Sequence, residues 1–207
     1  MMKLISSNRG MTLVEVLATL VIMSILSGII YSVFVTGLKL YQKIGIEGHL
    51  RDDADYVATM ILNEMYNSPP NYILPYENND TGAKGIQMVR YKPKNVEGFI
   101  VEDSTEIEDN TLIYQENQKF FIEKLNEKNQ SIEKTEIQTV RVKNTTVTDG
   151  VNSETSSISI GSCSLPDSSG KCRHGRISLN LVIEDSNQGP NSVIKTKPLI
   201  LNSTFGF

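Results

Sequence analysis

Residues 11–38 read MTLVEVLATLVIMSILSGIIYSVFVTGL, and this stretch decides the fold. The 23 residues from Val16 to Leu38 contain no charged side chain, although the chain as a whole is 21% charged. As a helix they would rise about 35 Å, more than the roughly 30 Å of a bilayer core. We therefore predict that this stretch is a membrane-spanning helix close to the N-terminus.

The segment in front of this helix, residues 1–10, reads MMKLISSNRG and is short, polar and basic. An ordinary secretory signal has a basic start, an apolar centre of about 7–15 residues and then a cleavage site of small residues. Here the basic segment ends at Gly10, before the apolar residues begin. Cleavage after Gly10 would leave the apolar helix on the mature chain, which would then begin at Met11.

The residues around that position resemble the cleavage signature of type IV prepilins. In this signature a glycine precedes the cut, as Gly10 does here, and a glutamate is the fifth mature residue, as Glu15 would be. Type IV pilins, type II secretion pseudopilins and competence pseudopilins share it, and Met11 stands where the family most often has Phe. The resemblance implies cleavage between Gly10 and Met11 by a prepilin peptidase, and N-methylation of Met11.

The resemblance also implies a location and further partners. It places the chain in the bacterial cytoplasmic membrane as a single-pass protein, with its N-terminus inside and its head outside. From there it would enter a pilus or pseudopilus on the cell surface or in the periplasm, for secretion, DNA uptake or adhesion. The implied partners are other pilins or pseudopilins, an assembly platform protein and an assembly ATPase.

The size of the head favours one role within this class. Residues 68–207 form a head of about 140 residues, which favours a minor subunit, with the J-type pseudopilins among the candidates. A major pilin is the alternative within the class. Outside it, the alternative is a membrane-tethered extracellular binding domain that does not polymerise and keeps its leader.

Glu15 is a lone acid at the start of the apolar segment. An ionised side chain at mid-bilayer costs roughly 2.5–3.5 kcal/mol on insertion scales, so it calls for an explanation. One interpretation is that the carboxylate reaches the lipid headgroups. The other, which the resemblance also implies, is that it pairs with the α-amino group of Met11 on an adjacent subunit and fixes the filament register. We predict that Glu15 is the assembly residue.

Helical periodicity continues beyond the apolar segment and stops before Pro69 and Pro70. An apolar stripe recurs at spacings of four, three, four and four residues, as in an amphipathic helix: Leu50, Ala54, Val57, Ile61 and Met65. We predict one N-terminal helix with a transmembrane half at residues 11–38 and an amphipathic half at residues 39–67. Residues 1–10 are the leader.

Residues 68–207 are predicted to form a β-rich globular head, because apolar and polar residues alternate between turn-forming segments. The strand candidates are residues 86–91, 99–102, 111–115, 119–125, 136–143, 156–160, 176–184 and 193–201. In the segment 176–184, Ile177, Leu179, Leu181 and Ile183 alternate with Ser178, Asn180 and Val182. The predicted fold class is therefore α+β, with the long helix packed on an antiparallel sheet in a pilin-like arrangement.

The two cysteines, Cys163 and Cys172, bracket the turn-rich segment SLPDSSGK. In an exported protein two nearby cysteines usually pair. We predict a Cys163–Cys172 disulfide, with two free thiols as the alternative.

The charge of the chain argues against a nucleic-acid partner. The net charge is −4, and setting aside the two positive charges of the leader, Lys3 and Arg9, makes it −6. A nucleic-acid surface would need clustered Lys and Arg, so no direct nucleic-acid contact is predicted. The acidic stretch Glu102, Asp103, Glu106, Glu108 and Asp109 lacks the ligand spacing and glycine of an EF-hand. It is interpreted as a solvated loop and no metal or other cofactor is predicted.

Catalytic motifs are also lacking. The chain has two histidines, His49 and His174, and no nucleophile elbow, phosphate loop or zinc-protease motif. Cys172 beside His174 could be imagined as a nucleophile and its base, but a disulfide there disfavours that reading. We predict a structural protein with no catalytic residue, not an enzyme.

Overall fold

The computed structural model describes residues 11–96, 99–137, 139, 142–149, 152–164, 166, 170–186 and 196–207. The chain forms two compact units that divide between Ile44 and Gly45. The leader, residues 1–10 with the cleavage residue Gly10, lies outside the described residues. The predicted boundary after residue 38 concerns the position of a membrane and the one after residue 67 separates helix from head; both stay predictions.

One helix, α1, extends over Leu13–Asn67 and contributes residues to both units. In the first unit nearly all of its side chains are exposed, and its apolar part is long enough to cross a membrane. The helix ends at Asn67, close to Pro69 and Pro70, because proline has no N–H to donate to the preceding turn.

In the second unit α1 buries the apolar stripe that the sequence predicted. Its buried residues are Leu50, Ala54, Val57, Ile61 and Met65, and no others. Ile61 is 0% exposed and belongs to one core with residues of both large sheets, including Ile113 and Ile177. The predicted α+β class, a helix packed on antiparallel β-structure, is confirmed.

Five strands form an antiparallel meander in chain order. They are β1 (Tyr72–Asn78), β2 (Ala83–Val96), β3 (Phe99–Glu116), β4 (Lys119–Leu125) and β5 (Ser131–Ile137). The turn between β3 and β4 consists of Asn117 and Gln118, both with positive φ, at 49° and 63°. Two consecutive residues of this kind form the tight hairpin turn whose twist matches the flanking strands.

The remaining strands form a four-stranded sheet and a small hairpin. They are β6 (Val142–Asn144), β7 (Thr146–Asp149), β8 (Asn152–Thr155), β9 (Ser157–Cys163), β10 (Gly175–Asp185) and β11 (Leu199–Gly206). β10 lies in the centre of the four-stranded sheet, with β11 on one side and β9 and β6 on the other. β7 and β8 form the separate hairpin. The predicted alternation in β10 is confirmed, since Ile177, Leu179, Leu181 and Ile183 all lie in the core shared with α1.

Several predicted segments were wrong in extent. The candidates 99–102 and 111–115 are parts of one strand, β3, so the acidic stretch 102–109 lies on a strand and not in a loop. Two of its carboxylates form ion pairs across the sheet, where Glu106 lies 3.2 Å from Lys92 and Glu108 lies 3.1 Å from Arg90. The candidates 136–143 and 193–201 lie partly outside the described residues, at 138, 140–141 and 193–195. Their described parts overlap β5, β6 and β11, and β1 was missed.

A row of aromatic rings crosses the outer face of the five-stranded sheet, the face turned away from α1. Tyr76, Gly85, Tyr114 and Phe121 are direct neighbours on successive strands. The rings of Tyr76 and Tyr114 lie 5.4 Å apart although Gly85 separates them, and Tyr114 stacks on Phe121 at 5.6 Å. Gly85 has no side chain, and the two tyrosine rings therefore close over it.

Burial raises the pKa of the Tyr114 hydroxyl to about 12, against an ordinary value of 10.0. The hydroxyl also donates to the carboxylate of Glu123 at 2.7 Å, and ionisation would place two negative charges side by side. Because the pKa is higher in the folded chain than in the unfolded one, the stability this group contributes is complete below pH 10 and is lost between about pH 10 and 12.

We expect the absorbance titrations of wild type and Tyr114→Phe at 295 nm to coincide through pH 10, where an ordinary tyrosine is half ionised. In denaturant the wild-type curve should exceed that of Tyr114→Phe by the absorbance of one tyrosine when titration is complete, because Tyr114 titrates normally in the unfolded chain. A difference of about half a tyrosine at pH 10 in the folded protein, with circular dichroism unchanged, would contradict the buried position of this hydroxyl.

Candidate functional site

The first turn of α1 is closed by two residues of the prepilin-like signature. The backbone N–H and the hydroxyl of Thr12 donate to Oε2 of Glu15 at 2.9 and 3.1 Å, and the N–H of Glu15 donates back to Thr12 Oγ1 at 3.4 Å. This reciprocal pattern is a capping box, which satisfies N–H groups that have no partner inside the helix. Glu15 therefore caps its own helix, a role that the pattern Thr-x-x-Glu could have revealed from the sequence.

The cap leaves part of the glutamate available. Both hydrogen bonds from Thr12 go to Oε2, so Oε1 can accept another donor. Met11 and Glu15 are both exposed, with 68% of Met11 accessible. The structure thus presents the predicted assembly residue and the predicted first mature residue on the same exposed helix end.

Three hydroxyl groups of the apolar part of α1 form hydrogen bonds within the helix. The hydroxyls of Thr19, Ser24 and Thr36 donate to the backbone carbonyls of the preceding turn at 2.8–2.9 Å. A hydroxyl with such a bond keeps a hydrogen-bond acceptor when it enters lipid or a helix interface, where water is absent. These three polar side chains are therefore compatible with an apolar environment.

Cys163 and Cys172 form a disulfide between the end of β9 and the segment that leads into β10. Cys172 is buried, and its backbone exchanges two hydrogen bonds with Ile73 of β1, at 2.7 and 2.9 Å. The bridge therefore holds a short segment against the edge of the five-stranded sheet. The sulfur of Cys172 is bonded and cannot act as the thiolate nucleophile that the sequence alternative required.

The acidic stretch 102–109 was considered above as a possible metal site. Among the residues that the structure describes, no group of three or more His, Cys, Asp and Glu side chains could hold a metal ion. The described carboxylates of the stretch lie on β3 beside Lys92 and Arg90. Glu106 and Glu108 form salt bridges with these two basic residues across the sheet.

These features define a class: a chain with an exposed apolar helix at its N-terminus, capped at the first turn, followed by a helix-on-sheet unit of the pilin type. A family model described as the prokaryotic N-terminal methylation motif matches residues 5–31. The chain therefore carries the prepilin signal of type IV pilins and pseudopilins, as its sequence predicted. No curated protein and no solved structure matches the chain.

Proposed function

We propose that this chain is a structural subunit, of the minor kind, of a type IV pilus or pseudopilus. It is cleaved between Gly10 and Met11, methylated at Met11 and assembled through α1 into a fibre for secretion, DNA uptake or adhesion. The observation that carries the proposal is the methylation motif at residues 5–31, which includes the capped first turn of α1 and much of its exposed apolar part.

The exposure of the first unit supports two successive environments. Large apolar side chains such as Leu17, Ile30 and Phe34 are each more than half exposed. A helix that is apolar on every side is buried in lipid or among other helices. Membrane insertion before assembly and helix packing after assembly both supply that cover, without a change in the helix itself.

The capping box supports the assembly role of Glu15. Oε2 serves the subunit's own helix. In the proposed fibre, Oε1 accepts from the α-amino group of Met11 on a neighbouring subunit. Methylation of an amine preserves its positive charge, so the modified terminus can still pair with a carboxylate. One glutamate can in this way close its own helix and recognise the next subunit.

The further partners follow from the same proposal. A prepilin peptidase processes the chain, and a platform protein with an ATPase extracts it from the cytoplasmic membrane into the fibre. The second unit has a core of its own, built from residues of α1 and both large sheets, and faces the outside. A head of this size supports a minor subunit, the J-type pseudopilins included.

Processing tests the proposal directly. With a prepilin peptidase co-expressed, we expect mass spectrometry of the wild-type chain to show a methylated Met11 as the first residue. We expect Gly10→Val to abolish cleavage, because the peptidase must accommodate backbone without a side chain at that position. The matched control is Gly28→Val, where an added side chain meets open space, and it should be processed normally.

A different result would favour the tethered binding domain. That alternative predicts a wild-type chain that begins at Met1 or Met2 while another prepilin in the same cells is cleaved. Cleavage of Gly10→Val at the wild-type rate would show that processing does not depend on this glycine.

A further inference from the structure

A pocket of about 300 Å³ lies on the outer face of the five-stranded sheet, close to the aromatic row. Its apolar lining comes from Tyr76, Leu112 and Leu125, and its polar lining includes Gln87, Glu123 and Asn129. This volume is at the lower end of the range for small-molecule sites, about 300–1,000 Å³, and such sites combine apolar walls with a few convergent polar groups.

A buried amide holds two of the polar groups in place. Asn110 is 1% exposed, its Oδ1 accepts from Nε2 of Gln87 at 2.8 Å, and its Nδ2 donates to Oδ1 of Asn129 at 3.0 Å. Burying an amide is unfavourable unless it is hydrogen-bonded, and both of these bonds go to residues that line the pocket. Gln87 and Asn129 are therefore oriented before any ligand arrives, as binding groups in preorganised sites are.

Glu123 is oriented in the same way from the other side. Its Oε2 accepts the hydroxyl of Tyr114, a residue that is itself buried in the aromatic row. Asn129 lies in the turn between β4 and β5 with φ of 58°, a backbone conformation that asparagine adopts more readily than most residues. The pocket thus has a rigid floor on the sheet and one wall supplied by a turn.

We propose that this pocket binds a neutral saccharide. A pyranose ring has an apolar face of C–H groups, which suits the ring of Tyr76, and hydroxyl groups that each donate and accept. The amide network leaves Oε1 of Gln87 to accept and Nδ2 of Asn129 to donate, and Glu123 adds a strong acceptor. The carboxylate disfavours an anionic ligand, since the pocket lining contains no Lys or Arg. This inference is independent of the proposed pilus function.

The test uses the full chain in a detergent without a sugar headgroup. The probes are immobilised neutral glycans that end in glucose, galactose, mannose, N-acetylglucosamine or N-acetylgalactosamine, beside immobilised hexapeptides. We expect binding to at least one glycan, weakened about tenfold by Asn129→Gly, the effect of losing a hydrogen bond or two. Tyr76→Ala should weaken it at least as much, because it removes the aromatic wall.

Tyr56→Ala is the matched control, because Tyr56 is an exposed tyrosine of α1 outside the pocket, and its glycan binding should equal that of wild type. Asn129 is exposed in a turn, so Asn129→Gly decides the matter even if Tyr76→Ala fails to fold. Three results would each overturn the proposal: no glycan bound, equal binding by wild type and Asn129→Gly, or binding of hexapeptides alone.

Discussion

Replacing Gly85 by alanine is expected to lower the free energy of unfolding by about 3 kcal/mol, the upper part of the range for overfilled sites. A Cβ at this position would lie 2.1 Å from the carbonyl oxygen of Ile113 and 2.5 Å from the Cα of Tyr114. Both contacts are with the backbone of β3, so no side-chain rotation can relieve them. The strands β2 and β3 would have to move apart where they are hydrogen-bonded.

The substitution would also separate the rings of Tyr76 and Tyr114, which now meet above the glycine. Aromatic pairs contribute about 0.5–1.5 kcal/mol beyond the area that they bury. For a unit of this size, a loss of 3 kcal/mol lowers the midpoint of thermal unfolding by roughly 6–12 °C. Circular dichroism of the full chain during urea and thermal unfolding measures both quantities.

Gly206→Ala is the matched control for this prediction. Gly206 also lies in a strand, β11, but a Cβ there meets nothing within 4 Å. We expect this variant to unfold within about 0.5 kcal/mol of wild type, as surface substitutions usually do. If Gly85→Ala and Gly206→Ala unfold at the same urea concentration, the close approach of β2 and β3 at Gly85 is wrong.

The parts of this fold that the sequence predicted depend on local periodicity. The stripe from Leu50 to Met65 repeats at the helical period and the alternation in β10 at the strand period, and both patterns are visible within about fifteen residues. The N-terminal signature is equally local. Each of these features could be predicted because the residues that produce it are close together in the sequence.

The missed and misplaced strands depend on partners far along the chain. β1 contains Pro75, which argues against a strand interior, yet β1 lies at the edge of the meander, where proline is tolerated. β3 continues through the acidic stretch, where Arg90 and Lys92 of β2 form ion pairs with Glu108 and Glu106. Neither the edge position of β1 nor the pairing of β3 with β2 can be predicted from the residues around each strand alone.

The candidate sites show the same division. The cleavage signature predicts Glu15 as an assembly residue, and the capping box that Glu15 forms with Thr12 was not predicted although the pattern is local. The amide network of Gln87, Asn110 and Asn129 joins residues that are 23 and 19 positions apart. It exists only because β2, β3 and the turn after β4 meet, so the sequence gives no sign of it.

Glu15→Gln is expected to reduce assembly by two to three orders of magnitude while it leaves membrane insertion intact. Glutamine can replace glutamate in a capping box, so the first turn of α1 stays closed. The charge is lost, however, and the α-amino group of Met11 on the next subunit would be buried without a partner. Removing one member of a buried ion pair costs about 3–5 kcal/mol, and each 1.4 kcal/mol is a factor of ten.

Thr12→Val tests the helix cap separately from the charge of Glu15. It removes the hydroxyl that accepts the N–H of Glu15, which costs about 1 kcal/mol of helix stability, and it keeps the carboxylate ionised. In cells that contain the assembly machine, immunoblots of sheared fibres should show a small loss for Thr12→Val and a near-complete loss for Glu15→Gln. A loss for Glu15→Gln no larger than that for Thr12→Val would contradict the pairing of Glu15 with the next subunit. Wild-type assembly of Glu15→Gln would assign its carboxylate to the helix cap or to the lipid headgroups.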